Sequence, residues 1–250
     1  MRRFPAFILA AALLLALAAC VKKAPAPGPT EPVTVSQTVP AALYAYGLRA
    51  TIDTSADDDG RPIFMFSRPF FEEFSALAKT ANAIYARMEE NFIVTMEENA
   101  EEPSDPEFPL YFKALTEPTY MTDGVVSFTT SGEWFMGGVS NSWSTGHTFD
   151  FNLRRELKIA DVLHGDGAQI AAALESAFFA WVEAEGGSVD ELADFELEGI
   201  REQCGPDANF YLAEEGVHVF FEPYTVPATQ DGVDVFFPWG SELVKFTPVS

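Results

Sequence analysis

The chain has 250 residues, of which 48% are hydrophobic, and its formal net charge is −23 at pH 7. This acidity excludes direct binding to nucleic acid, which requires basic surface to neutralise phosphates. The hydrophobic content excludes a chain that is disordered by composition. The length fits one large domain or two small ones.

The first nineteen residues predict a signal peptide. Two arginines precede an apolar stretch over residues 6–19, which is too short for a comfortable membrane span. The stretch ends in Leu17-Ala18-Ala19-Cys20, which resembles a bacterial lipobox. The resemblance implies that Cys20 carries the lipid, palmitate included, and becomes the mature N-terminus. An ordinary secretory signal with a coincidental cysteine is the alternative.

Lipid attachment at Cys20 predicts a membrane-anchored protein of the cell envelope. Val21 does not resemble the aspartate that retains lipoproteins in the inner membrane, so we expect the outer membrane, facing the periplasm. Residues 20–41 are rich in proline and predict an extended tether. Cys204 would then be the one remaining cysteine, either buried or an odd thiol.

A first module is predicted over residues 42–120, with a strand at residues 43–51 and a long amphipathic helix at residues 69–96. Ser67 would cap this helix and Pro69 would suit its first turn. Glu89 falls on its polar face. The predicted inward residues are Phe70, Phe74, Leu77, Ala81, Ile84, Met88, Phe92 and Met96.

A second module is predicted over residues 121–250. Together with residues 110–115, strand patterns at 125–130, 134–139 and 148–153 predict an antiparallel meander. Phe149, Phe151 and Leu153 would be buried, whereas Thr148, Asp150 and Asn152 would face water. A helical turn at 159–163 and a helix at 168–184 follow. Ser188 and Glu191 predict the start of another helix, with Leu192, Phe195 and Ile200 inward.

The last strands are predicted at residues 209–212, 217–221, 233–237 and 243–246. Together, these elements predict an α+β fold. One or more antiparallel sheets would be packed by one long N-terminal helix and two C-terminal helices.

No motif in the sequence predicts catalysis, a metal site or a cofactor. His147, His164 and His218 lack the spacing of metal ligands, and His218 fits the wet face of a strand. The Gly-x-Ser-x-Gly pattern of hydrolases is absent. Glycan hydrolysis stays an alternative, which predicts a cleft with two carboxylates about 5–10 Å apart, one of them with a raised pKa.

The order of landmarks from Trp134 onward resembles the RsiV-like extracytoplasmic domain of unknown function, also found in PdaC-like deacetylases. The matching pieces are Gly137-Gly138, Phe149-Asp150-Phe151-Asn152-Leu153, the segment 157–163, Asn209-Phe210-Tyr211-Leu212, Gly216-Val217, Phe221-Glu222-Pro223-Tyr224 and Phe237-Pro238-Trp239. Val139-Ser140-Asn141 stands where family members often carry Ala-His and a small residue. The resemblance spans residues 42–246 and implies recognition of a lysozyme-like protein, without carrying over sigma-factor control or deacetylation.

We therefore expect a non-catalytic envelope lipoprotein that binds a lysozyme-like protein or peptidoglycan. A structural protein of envelope assembly is the alternative. The predicted contact surface combines a loop predicted at residues 137–147 with residues 223–232, and its predicted binding residues are Trp143, His147, Tyr224 and Pro227. Core packing is the alternative for Trp143 and Tyr224.

Overall fold

The computed structural model describes residues 49–56, 62–72, 75–99, 111–122, 124–135, 140–226 and 232–247. The predicted signal peptide, the tether and Cys20 lie outside these residues, as do Gly137, Gly138 and Pro227. Those predictions therefore stay predictions.

A six-stranded sheet forms the first part of the fold, and its strands lie in chain order. The strands are β1 (Arg49–Ala56), β2 (Pro62–Phe70), β3 (Tyr111–Thr122), β4 (Val125–Phe135), β5 (Ser140–Asp150) and β6 (Arg155–Glu156). All neighbours are antiparallel except β2 and β3, which run parallel. Helix α1 (Ala76–Asn99) lies between them in sequence and provides the crossover that a parallel pair needs.

A three-stranded antiparallel sheet forms the second part, with the order β7 (Asn209–Leu212), β8 (Gly216–Phe221) and β9 (Val233–Pro238). Three helices lie between β6 and β7 in sequence. They are α2 (Ile159–Val162), α3 (Gly167–Ala184) and α4 (Asp194–Gln203). The predicted α+β class is therefore wrong. The described chain is mostly β, because β3, β4 and β5 extend over 11 or 12 residues each and the two sheets, not the helices, organise the core.

The predicted start of the long helix is also wrong. Ser67 and Pro69 lie in β2, and α1 begins only at Ala76. Ser75 provides the cap, because its Oγ accepts a hydrogen bond from the Ala78 N–H at 3.1 Å. Leu77 and Ala81 are buried as predicted, but Phe70 is exposed. Tyr85, which was not predicted to face inward, is fully buried.

The strand predicted at residues 148–153 ends at Asp150, and the Thr148 and Asp150 side chains, which were predicted to face water, are buried. Leu153, which was predicted to be buried, is 59% exposed. Phe149 and Phe128 pack beneath α1, as expected for one face of the sheet. On the other face Thr148 and Ser127 are buried and hydrogen-bonded to each other at 2.8 Å. The Leu212 N–H also donates to Ser127 Oγ at 2.9 Å. The second sheet therefore covers β4 and β5 here. The two hydroxyl groups bond to each other, and Ser127 also accepts a hydrogen bond from β7.

The C-terminal elements follow their predicted positions closely. Helix α3 and strands β7 to β9 lie within two residues of the predicted bounds. Ile170, Leu174 and Phe178 of α3 pack against the inner residues of the second sheet. Residues 243–246 form only an isolated bridge, between Leu163 and Val244. The predicted boundary between modules at residues 120 and 121 falls within β3, and the two-module division stays a prediction.

Two other C-terminal predictions are wrong. Ser188 makes no capping hydrogen bond, and Val189–Glu191 is only a 3-10 turn. Helix α4 begins at Asp194, where the Glu196 carboxylate accepts a hydrogen bond from the Ala193 N–H at 2.6 Å. Phe195, predicted to face inward, is 73% exposed.

Candidate functional site

A groove of about 550 Å³ lies beside the first half of β5. The segment after β8 also lines it. Its lining residues are Trp134, Asn141, Ser142, Trp143, Ser144, Thr145, Asn209, Glu222, Pro223 and Tyr224. The groove thus joins parts of the two sequence segments from which the contact surface was predicted, although the prediction of a loop was wrong, because residues 140–147 lie in strand β5.

Trp143 is half-buried, with its ring held between two neighbours. The ring stacks on Phe92 of α1, with centroids 5.0 Å apart and an interplanar angle of 30°. It also lies directly over Gly132 on β4, where an added Cβ would come within 2.1 Å of the indole. Only glycine at position 132 therefore allows this ring position. Trp143 is packed on one side while still lining the groove.

Tyr224 has an unusual backbone conformation, with φ at +61°. This left-handed region is uncommon for residues other than glycine, asparagine and aspartate, and is costly for a bulky side chain. The side chain is 49% exposed, and its hydroxyl donates a hydrogen bond to Asn141 Oδ1 at 3.3 Å. A strained backbone thus presents an accessible ring at the groove.

Asn209, at the start of β7, links the second sheet to β5. Its Oδ1 accepts a hydrogen bond from the Gly146 N–H at 2.8 Å, and its Nδ2 donates to the Ser144 carbonyl at 2.7 Å. The sequence places Asn209 at a strand start and among the landmarks of the resemblance, but nothing in it indicates that this side chain bonds to a distant strand.

His147, the third predicted binding residue, is not among the groove-lining residues. Its ring stacks on Phe149 at 6.2 Å and meets Tyr85 edge-on at 5.6 Å. Its Nδ1 lies 2.7 Å from Glu156 Oε1. His147 is thus half-buried beneath α1, and its role in binding stays a prediction, as does that of Pro227.

His218 lies on the outer face of β8, as predicted. Its ring lies between those of Tyr211 and Phe236, at 4.7 and 4.8 Å, and both ring nitrogens face carboxylates. Nδ1 lies 2.9 Å from Asp234 and Nε2 lies 3.2 Å from Glu215. Burial lowers the pKa of His218, but hydrogen bonds and charges from the two carboxylates outweigh it and raise the pKa above the usual value. With both nitrogens engaged, His218 has no free nitrogen for proton transfer to a substrate.

The carboxyl group of Glu89 on α1 has a pKa well above its ordinary value. Burial and a hydrogen bond with Asp53 raise its pKa to about 7, against the opposing charge of Arg68 at 3.1 Å. Sequence reasoning placed Glu89 on a solvated helix face. Glu89 and Asp53 are hydrogen-bonded to each other, whereas the two carboxyl groups of a glycan hydrolase are separated by about 5–10 Å.

Cys204 is buried at the end of α4 and forms no disulfide. Burial, with a smaller contribution from the charge of Glu175, raises the pKa of its thiol to about 12. Of the two alternatives, the buried one is therefore correct, and the thiol is unreactive as a nucleophile at neutral pH.

Within the described residues, no group of three His, Cys, Asp or Glu side chains could hold a metal ion. A helix both long and apolar enough to cross a bilayer is likewise not found in that part of the chain.

No known protein family profile matches the sequence. No curated protein matches it either. Two solved structures do share its fold. A DUF3298 family protein from Pseudomonas aeruginosa PAO1 matches with a TM-score of 0.55 and 13% identity, over 79% of this chain and 94% of that chain. A DUF3298 family member from Bacteroides fragilis matches with a TM-score of 0.51 and 13% identity, over 79% of this chain and 92% of that one.

At 13% identity these matches show the fold alone. The chain has the fold of DUF3298 proteins, which are RsiV-like extracytoplasmic domains of unknown function. The resemblance that the order of sequence landmarks indicated is thereby confirmed at the level of fold.

Proposed function

We propose that this protein is a lipid-anchored protein of the cell envelope whose folded part is a non-catalytic binding module. The fold shared with extracytoplasmic DUF3298 domains supports an envelope location. The Leu17-Ala18-Ala19-Cys20 pattern supports anchoring through lipid on Cys20, in the outer membrane and facing the periplasm. Cys20→Ser would move the protein from the membrane fraction to the soluble fraction, and continued membrane association would contradict the anchor.

The ligand binds in the groove beside β5. The observation that carries this proposal is that Trp143 and Tyr224, which are far apart in sequence, line one groove. Tyr224 remains exposed there in a strained conformation. Strain of this kind persists in proteins where the surrounding structure enforces it, and it is concentrated at binding sites.

Binding rather than hydrolysis fits the chemistry of the groove. Glu222 is the one carboxylate among its described lining residues. Hydrolysis of a glycan uses two carboxyl groups, one on each side of the scissile bond. The acid with the raised pKa, Glu89, contacts Asp53 and Arg68 and does not line the groove.

A lysozyme-like basic protein is the first candidate ligand, because a net charge of −23 steers a cationic partner toward the molecule. Peptidoglycan is the second candidate. The observation that favours it is the mixed lining of aromatic rings, amides and hydroxyl groups, a combination suited to a polar ligand with apolar faces.

The test is binding by the chain without residues 1–19, measured by calorimetry with lysozyme and by cosedimentation with peptidoglycan sacculi. Salt at about 50 and 200 mM separates a specific interface from screened surface charge. Tyr224→Ala would abolish specific binding, whereas Phe195→Ala, an exposed aromatic residue on α4, would leave it unchanged. Failure to bind either ligand would contradict the proposal and favour the role in envelope assembly.

A further inference from the structure

The outer side of β5 is only partly paired. On one side β5 pairs with β4 along its whole length, from Ser140 to Asp150. On the other side, only Phe149 and Asp150 pair with a described strand, β6. Within the described residues, positions 140–146 therefore present a strand edge to which no other strand is added.

Asn209 shows which backbone groups point away from β4. Its side-chain amide accepts from the Gly146 N–H and donates to the Ser144 carbonyl, as a peptide group of a neighbouring strand would. The Thr148 carbonyl points the same way, because it accepts the Leu157 N–H at 2.8 Å. Backbone groups of alternate residues face the same side of a strand. The N–H and C=O of Ser142 therefore point outward as well.

The groove follows this edge. Residues 141–145 line it together with Glu222, Pro223 and Tyr224 from the segment after β8. Ser142 Oγ is buried and has no hydrogen-bond partner in the described chain. At about 3.3 Å per residue, the five residues from Ser140 to Ser144 present an edge about 13 Å long. An open strand edge is a template for a further strand.

We propose that the edge of β5 at residues 140–144 binds an extended segment of a partner protein as an added strand. The inference rests on the proposed function, because it takes the groove as the binding site, and it adds the chemical class of the ligand. Main-chain hydrogen bonds to the N–H and C=O of Ser142 provide affinity in this mode, because the Ser144 carbonyl is already bonded to Asn209. Tyr224 contacts the side chains of the segment. The segment is neutral or basic, because Glu222 contributes the one formal charge among the described lining residues.

The first experiment uses peptides selected from a phage-displayed library on the chain without residues 1–19. Each selected peptide is then synthesised with a single N-methyl group at successive positions. A methyl group removes one N–H donor and clashes with the edge, so affinity falls about tenfold or more at every second residue. Methylation at the intervening residues changes it less than about twofold, because those N–H groups point to solvent.

The second experiment changes the protein. Ser142→Pro removes the outward N–H without breaking a bond to β4 and abolishes peptide binding. The matched control Ser142→Ala keeps the backbone donor and retains affinity within about twofold. Thermal unfolding of Ser142→Pro verifies that it folds, and if it does not, the methylation scan decides.

An absence of enriched peptides, a scan without the two-residue period, or peptides bound equally well by folded Ser142→Pro would each overturn the inference. These failures are distinct from failure of the proposed function. Lysozyme or peptidoglycan binding that is lost in Tyr224→Ala but unaffected by Ser142→Pro would retain the groove as the site and exclude strand addition.

Discussion

The two halves of β5 differ in how they are held. The half near Asp150 is buried on both faces, with Phe149 beneath α1 and Thr148 beneath the second sheet. The half near Ser140 is only partly covered, and its outer edge borders the groove. One continuous strand thus passes from core to candidate binding site.

Gly146 marks the change between the halves. A Cβ added at this position would lie 2.0 Å from the carbonyl oxygen of Phe210, so β7 approaches the strand as closely as only glycine permits. Asn209 fixes the same point by its two hydrogen bonds. The half near Asp150 is thus fixed by packing on both faces, whereas the half near Ser140 is accessible at the groove. A site on a strand that is anchored in this way is better positioned than a site on a loop.

Removing a buried ring from the half of β5 near Asp150 should destabilise the protein most. Phe149→Ala removes a fully buried ring that contacts Phe71 and Tyr85, so we expect a loss of about 3–5 kcal/mol in the free energy of unfolding. Denaturant unfolding measures it. Trp143→Ala, in the half-exposed half, is the matched variant and should cost clearly less stability while reducing ligand binding. Equal losses of stability in the two variants would contradict the difference in burial between the two halves of β5.

The next effect concerns the polar contact between the sheets. Ser127→Ala removes the hydroxyl that accepts the Leu212 N–H and pairs with Thr148, which leaves buried polar groups unsatisfied. We expect a loss of about 1–3 kcal/mol. Ser131→Ala, four residues along β4, removes only an exposed 3.3 Å contact with Ser144 and should change stability by less than about 0.5 kcal/mol. If Ser127→Ala lost no more unfolding free energy than Ser131→Ala, the hydrogen bonds of Ser127 would not stabilise the contact between the sheets.

The contrast along β5 also explains what could be predicted from the sequence. Helix α3 and strands β8 and β9 bury one face each, so their periodicity reveals them within two residues. Thr148 and Ser127 are polar yet buried, so the alternation along β5 indicated a wet face that does not exist. Periodicity identifies which residues differ from their neighbours, but it cannot show that a second sheet covers the polar ones.

The same limit applies to the candidate site. Trp143 and Tyr224 could be singled out as aromatic residues near turns, but nothing in the sequence shows that they meet. The positive φ of Tyr224 has no sequence signal, because the segment has neither glycine nor asparagine at that position. Ser142 and Glu89 were missed because their importance arises from neighbours on other strands, the second sheet or the helix.

A smaller change in stability is expected with pH, from the titration of Glu89. On α1, Glu89 lies between Tyr85, which covers the buried half of β5, and Phe92, which stacks on Trp143. Its folded-state pKa of about 7 exceeds the ordinary value of 4.5, so the folded protein binds more protons between these values. The resulting stability is fully present below pH 4.5 and is lost as the pH rises through 7. We expect a loss of about 1–2 kcal/mol, because solvent screens this partly exposed cluster.

Glu89→Gln isolates this contribution, because other groups, including His218, also titrate as the pH rises. The variant should match the wild type at pH 5, where Glu89 is neutral, and exceed it by about 1–2 kcal/mol at pH 8. Glu90→Gln, on the exposed side of α1, should show no such difference between the two pH values. Unfolding curves of all three proteins at both pH values decide the matter, and parallel behaviour of Glu89→Gln and wild type would refute the shift.

The smallest effect on stability tests the strain at the groove. Tyr224→Asn places a residue that tolerates φ near +61° where a bulky ring now stands, so we expect stability to stay equal or to rise by up to about 1 kcal/mol. Ligand binding should nevertheless be lost with the ring. Tyr224→Phe keeps the ring and removes only the 3.3 Å hydrogen bond to Asn141, so binding should persist within a few-fold. If Tyr224→Asn became less stable yet still bound ligand, the conformation of Tyr224 would serve packing. The assignment of the binding site to the half-exposed end of β5 would then be contradicted.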